Sequence, residues 1–149
     1  MDGKRNTIMN FKTVTIFGTF DGIHEGHLAF IRDAKNLGDR IVAIIARDQI
    51  VEKLKSKKPM NDESSRIKDI MEVPEIDIAY LGDPSSDTYN ILKEIKPDLI
   101  YLGYDQQELL ESLKKAMKNK IIPKIEIKIG EAYKPEKFKS SIINKNERN

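Results

Sequence analysis

Two continuous apolar runs, TVTIF over residues 13–17 and RIVAIIA over residues 40–46, flank a segment in which Leu28, Ile31, Ala34 and Leu37 recur at helical spacing. A strand that is apolar at every position has no face for water, so it belongs inside a sheet covered on both sides. Strand, helix, strand in that order makes a right-handed parallel crossover. The alternation continues along the chain. A helix capped by Asn61 or Asp62 runs to residue 71, and a strand spans 77–81. A DPSS turn at 83–86 leads into a helix over 88–95, which Pro97 ends. Strand 99–102, helix 107–119 and a fifth strand within 121–129 complete the series; alternation after Pro123 suits a sheet edge. Gly38 reads as the C-cap of the first helix, residues 47–58 as a polar lysine-rich segment, and 139–149 as one short final helix. The expected fold is α/β, a single Rossmann-like doubly wound parallel sheet of about five strands. Residues 1–149 are expected to form one domain, with 1–11 a flexible N-terminal extension and 144–149 a flexible tail.

Charge and composition remove several function classes. A net charge of +2 gives no electrostatic footprint for nucleic acid. With no cysteine, disulfides and thiolate metal sites are excluded. No apolar stretch is long enough to span a bilayer, and MDGKRNTIMNFK lacks the apolar core of a signal peptide. A cytoplasmic protein without membrane contact is expected.

In a doubly wound sheet, ligands sit outside the carboxyl ends of the strands. The stretch GTFDGIHEGH, residues 18–27, follows the first strand at that edge and holds both histidines of the chain. Gly18 allows a sharp turn and a close approach of backbone to ligand. A helix starting at about residues 25–27 points its free N–H groups and positive dipole end into the same space, which suits a phosphate. His24 and His27 can both donate hydrogen bonds to phosphate oxygens, and Gly26 leaves room between them. The plainer alternative is that they are polar residues at a helix start. A zinc site would need a third ligand, for which only carboxylates are available. Neither G-x-G-x-x-G nor a P-loop is present.

These residues also carry a resemblance. GTFDGIHEGH resembles the GTFDxxHxGH signature of the cytidylyltransferase-like nucleotidyltransferases, which share the H-x-G-H element with class I aminoacyl-tRNA synthetases. ARDQIVEKLKSKKP, residues 46–59, resembles the lysine-bearing loop of that family, and Arg66 stands where an arginine usually opens the next helix. LGYDQ at 102–106 and EAYKPEKFKSSII at 131–143 resemble the archaeal-type FAD synthases (FMN adenylyltransferases) within it. The resemblance covers residues 13–143 and implies the HxGH nucleotidyltransferase fold. One departure is SSIIN, where the last motif often reads S-[ST]-x-I-[RK].

The resemblance implies attack by an FMN phosphate oxygen on the α-phosphorus of ATP, forming FAD and releasing pyrophosphate without a covalent enzyme intermediate. Mg2+ would accompany the triphosphate, and a homodimer is expected by analogy. His24 and His27 would stabilise charge on the transferring group. Thr19 and Phe20 would border the nucleotide through their backbone, with Glu25 and Gly26 at the helix start. Asp21 would orient a histidine or help hold Mg2+. Lys55, Lys57 and Arg66 would clamp the triphosphate; taken alone, KLKSKKP reads first as a solvated basic loop, and the resemblance reverses that reading. Asp105 reads as a nucleotide acceptor or as a turn former, and Tyr133 as an adenine partner or a core residue. Ser140 and Ser141 read as helix caps or as phosphate contacts. Two further functions stay open: a CTP-dependent cytidylyltransferase of a small phosphorylated alcohol such as glycerol 3-phosphate, and a non-catalytic nucleotide sensor.

Overall fold

The computed structural model describes residues 11–85 and 88–131. Strand β1 (Phe11–Gly18) runs parallel to β2 (Gly38–Ile45), in register from Phe11 opposite Gly38 to Gly18 opposite Ile45. Helix α1 (Glu25–Lys35) connects them. After β2 come α2 (Asp48–Lys55), α3 (Glu63–Met71), β3 (Ile78–Leu81), α4 (Asn90–Ile95), β4 (Leu99–Leu102), α5 (Gln107–Lys118) and β5 (Glu126–Ile129). The five strands are all parallel, in the order β3-β2-β1-β4-β5. That is the expected doubly wound sheet.

Side-chain alternation along the strands separates two cores. Val14 and Ile16 of β1, with Ile41, Ala43 and Ile45 of β2, pack beneath α1 and α3. Ile44, Ile100 and Leu102 point to the opposite face, where Leu92 of α4 and Leu110, Leu113 and Ala116 of α5 cover them. Burial on both faces is why the central parts of β1 and β2, and the whole of β4, read as mainly apolar runs. In β5 only Ile127 is even half-buried, as suits an edge.

Three expectations need correction. Phe11 belongs to β1 and is not part of an extension; residues 1–10 and the tail 144–149 lie outside the described residues. Gly38 is the first residue of β2, and Asn36 caps α1. A side chain at Gly38 would overlap Val14 and crowd the Phe11 carbonyl, so close strand packing explains this glycine. Residues 48–55 form a helix, not an irregular polar segment: Val51 anchors it and the lysines face water. Asp62, of the two candidates, caps α3 by accepting the Ser65 N–H at 2.8 Å. The short final helix expected over 139–149 lies outside the described residues.

Candidate functional site

A cleft of 1380 Å³ opens at the carboxyl edge of the sheet. Residues at and just beyond the ends of β1 and β4 line it, and from the junction of these two strands the strand order proceeds outward in both directions. Such a switch point is where open α/β sheets bind ligands. Gln106 braces the junction: its Nε2 donates to the Phe17 carbonyl at 2.9 Å, and its Oε1 accepts the Gly103 N–H at 2.8 Å.

The two histidines build the start of α1. His24 is the N-cap, and its Nδ1 accepts the Gly26 N–H at 3.1 Å. His27, three residues on, returns the arrangement, with Nδ1 accepting the His24 N–H at 3.2 Å. This is a capping box made from imidazoles. An Nδ1 that accepts carries no proton, so this hydrogen-bond pattern assigns the neutral rings a proton on Nε2. Both Nε2–H groups remain as donors on rings that line the cleft. The rings stack with centroids 3.8 Å apart. Phe20 supports His27 from a centroid distance of 5.2 Å. To do so Phe20 is buried with φ at 50°, in the left-handed region. Gly18 matters for the same reason: a Cβ there would lie 2.5 Å from the Phe20 ring.

Burial, then the neighbouring His24, pushes His27 from its ordinary 6.5 down to about 4; Asp105 opposes them, and Lys55 adds a smaller downward push. His27 is therefore neutral at pH 7. Because its folded pKa lies below the unfolded value, the unfolded chain takes up a proton first as pH falls. The contribution of the neutral ring to stability is whole above about pH 6.5 and declines towards pH 4. Urea midpoints at pH 7 and pH 5 should thus fall further apart in the unaltered protein than in His27→Gln, which has no ring to titrate. Equal separations would show that His27 ionises normally.

Asp21 and Arg66 hold the walls of this cleft. The Asp21 carboxylate accepts the N–H groups of Met60 (2.7 Å) and Asn61 (2.9 Å) and the Asn61 side-chain amide. Burial pushes Asp21 up, but these donors and Arg66 outweigh it and leave the carboxyl below its usual range. Asp21 thus fastens the end of the lysine loop; its hydrogen-bond partners among the described residues are Met60 and Asn61, not a histidine. Arg66 is placed differently from the expected clamp. It is fully buried, with Nε on the Asn61 carbonyl, Nη1 on the Thr19 carbonyl and Nη2 on Asp48 at 2.7 Å. Its side chain joins the turn after β1, the loop before α3 and the start of α2.

Lys55, the last residue of α2, lines the cleft close enough for its charge to act on His27. Lys57 is exposed and does not line it. Thr19, Phe20, Asp21, Gly26 and Asp105 line it, and Glu25 does not. Tyr133, Ser140 and Ser141 lie outside the described residues. Sequence reasoning missed Gln106, Arg47, Tyr89 and Ser112, which also line the cleft. Gln106 stood inside the LGYDQ stretch, but nothing local marks its bridge to β1. Among the described residues no group of three or more His, Cys, Asp or Glu side chains could hold a metal ion, and no helix is long and apolar enough to cross a membrane.

Donors converging on a helix N-terminus, with an adjacent lysine, make a site for a polyphosphate. Comparison with known proteins agrees with that chemistry. The cytidylyltransferase-like family model matches residues 15–146. An FAD synthase from Thermococcus sibiricus is 37% identical over 126 residues, 85% of each chain. One from Pyrococcus horikoshii is 35% identical over 130 residues, 87% of this chain and 88% of that one. A crystal structure described as the lipopolysaccharide core biosynthesis protein of Thermoplasma volcanium superposes with a TM-score of 0.65 at 35% identity, covering 83% of this chain and 98% of the other.

Proposed function

The chain belongs to the cytidylyltransferase-like family, and on that premise we propose that it is an FMN adenylyltransferase, an FAD synthase. An FMN phosphate oxygen attacks the α-phosphorus of ATP. The new bond joins the two phosphates of FAD, the bond from α-phosphorus to the bridging oxygen breaks, and pyrophosphate leaves with that oxygen. Such a transfer needs alignment and charge stabilisation more than covalent chemistry. The observation that carries the reading is the pair of Nδ1 caps, which hold two Nε2–H donors in place before any substrate arrives. Donors fixed in advance need no reorganisation as charge grows on the transferring group.

Lys55 supplies a mobile cation to the β- and γ-phosphates from the rim. Mg2+ would accompany the triphosphate and offset its charge, held chiefly by phosphate oxygens; Asp21 and Asp105 are carboxylates that line the same cleft. Thr19, Phe20, Gly26 and Asp105 border the nucleotide. Glu25 is a member of this set by sequence position, as are Tyr133, Ser140 and Ser141 of the terminal segment. A cytoplasmic homodimer is part of the same proposal.

Lys55→Ala should raise the KM for ATP about 10- to 100-fold, the worth of one charge-assisted hydrogen bond, whereas Lys57→Ala should change it little. Steady-state pyrophosphate release at varied ATP separates the two. Equal effects would return the whole KLKSKKP loop to the clamp. The function itself is tested by product mass. ATP with FMN should yield FAD, and CTP with glycerol 3-phosphate should yield nothing. Turnover with CTP alone would make the chain a cytidylyltransferase, and ATP binding without turnover of any acceptor would make it a sensor.

A further inference from the structure

Among the residues around the cleft, two groups belong to opposite faces of the sheet. His24, His27, Phe20 and Phe30 belong to the α1 face. Phe17, Ile44, Ile91 and Leu109 belong to the core beneath α4 and α5, yet they too line the cleft. A triphosphate has no use for this second, apolar group. The cleft is also larger than the roughly 300–1,000 Å³ that usually accommodates one small ligand.

We infer that the apolar lobe between the starts of α4 and α5 receives the isoalloxazine ring of the acceptor, an inference that rests on the function proposed above. Phe17 and Ile44 are paired residues of β1 and β2, so they lie side by side as a floor. Ile91 and Leu109, half-buried against the same core, provide walls from the two helices. Tyr89 and Ser112, hydrogen-bonded to each other, place hydroxyls beside those walls. A flat, largely apolar tricycle with polar atoms along one edge matches such a lining. A phosphorylated polyol does not, because its hydroxyls would lose water against Phe17, Ile44, Ile91 and Leu109 without gaining partners. The lobe adjoins the histidines across the β1–β4 junction, so a phosphate tethered to the ring can reach the phosphate site while the ring stays on the other face.

Two variants test the lobe. Leu109→Gln keeps a good helix former and makes one wall polar, and Ile91→Phe fills the space without adding a polar group. FMN affinity is read from quenching of flavin fluorescence, and ATP affinity from calorimetry on the same samples. In both variants the FMN Kd should rise at least about tenfold, which is roughly 1.4 kcal/mol, with the ATP Kd within about twofold of the unaltered protein. An unchanged FMN Kd in both variants, while the unaltered enzyme still makes FAD, would place the ring elsewhere and leave the proposed function standing. Equal losses for FMN and ATP would also overturn the assignment. Failure of the unaltered protein to make FAD would remove the function, and the flavin lobe with it.

Discussion

His24→Asn should leave the protein about as stable as before and reduce kcat about 100- to 1,000-fold, the cost of deleting one preorganised donor to a developing charge. The two effects separate because the two ring nitrogens do different work. Nδ1 caps α1 by accepting the Gly26 N–H. Asparagine, among the best N-cap residues, offers an oxygen in nearly the same place. Nothing in asparagine reaches the position of Nε2, so the donor to phosphate is lost. His24→Ala removes both, and should lower the urea midpoint by the equivalent of about 1 kcal/mol in addition to the loss in kcat. For His27 the informative variant is glutamine, whose Oε1 can accept the His24 N–H as N3 glutamine does in a capping box, while its amide N–H stands near where Nε2–H stood. His27→Gln should therefore retain more activity than His27→Ala. If His24→Asn instead loses stability and keeps kcat, the pair is a structural cap and the phosphate site lies elsewhere.

The sheet was legible because burial on both faces leaves a local mark. Residues 14–17 of β1, Thr15 apart, and residues 41–45 of β2 are apolar in succession, and a sheet covered on both sides hides such runs from water. Helix α2 was not, since over eight residues it buries only Val51 and ends among lysines, a pattern a solvated loop shares. Gly38 shows a different limit. A glycine between helix and strand suits both a C-cap and a close approach, and the choice depends on Val14, twenty-four positions earlier in the chain. At the site, GTFDGIHEGH revealed where chemistry occurs but not which nitrogen performs it, because that depends on backbone N–H groups freed at the helix start. The apolar lobe drew on Phe17, Ile44, Ile91 and Leu109, one each from β1, β2, α4 and α5, so no window of sequence contains it.

Arg66 gives the largest expected loss of stability. A clamp would need its guanidinium at the cleft, but the side chain has no exposure and its Nε, Nη1 and Nη2 each donate to a separate partner. Arg66→Ala leaves the Thr19 and Asn61 carbonyls without their donors and Asp48 without its counter-charge. Losing one member of a buried charge pair costs about 3–5 kcal/mol; Asp48, at 30% exposure, regains some water and moves the expectation to the lower end. For a chain of this size that is a drop in Tm on the order of 10 °C. Arg66→Lys should recover little, since one ammonium group cannot span three acceptors set by a planar fork. The kinetic signature follows from the same geometry. At a temperature where both proteins remain folded, Arg66→Lys should lower kcat as well as raise the KM for ATP, because the Thr19 turn and the lysine loop lose their common anchor. A true phosphate clamp would behave in the opposite way, with Tm unchanged and ATP affinity alone reduced. Thermal denaturation and steady-state kinetics on Arg66→Lys decide between the two, and an unchanged Tm would move this guanidinium out of the wall and into the site.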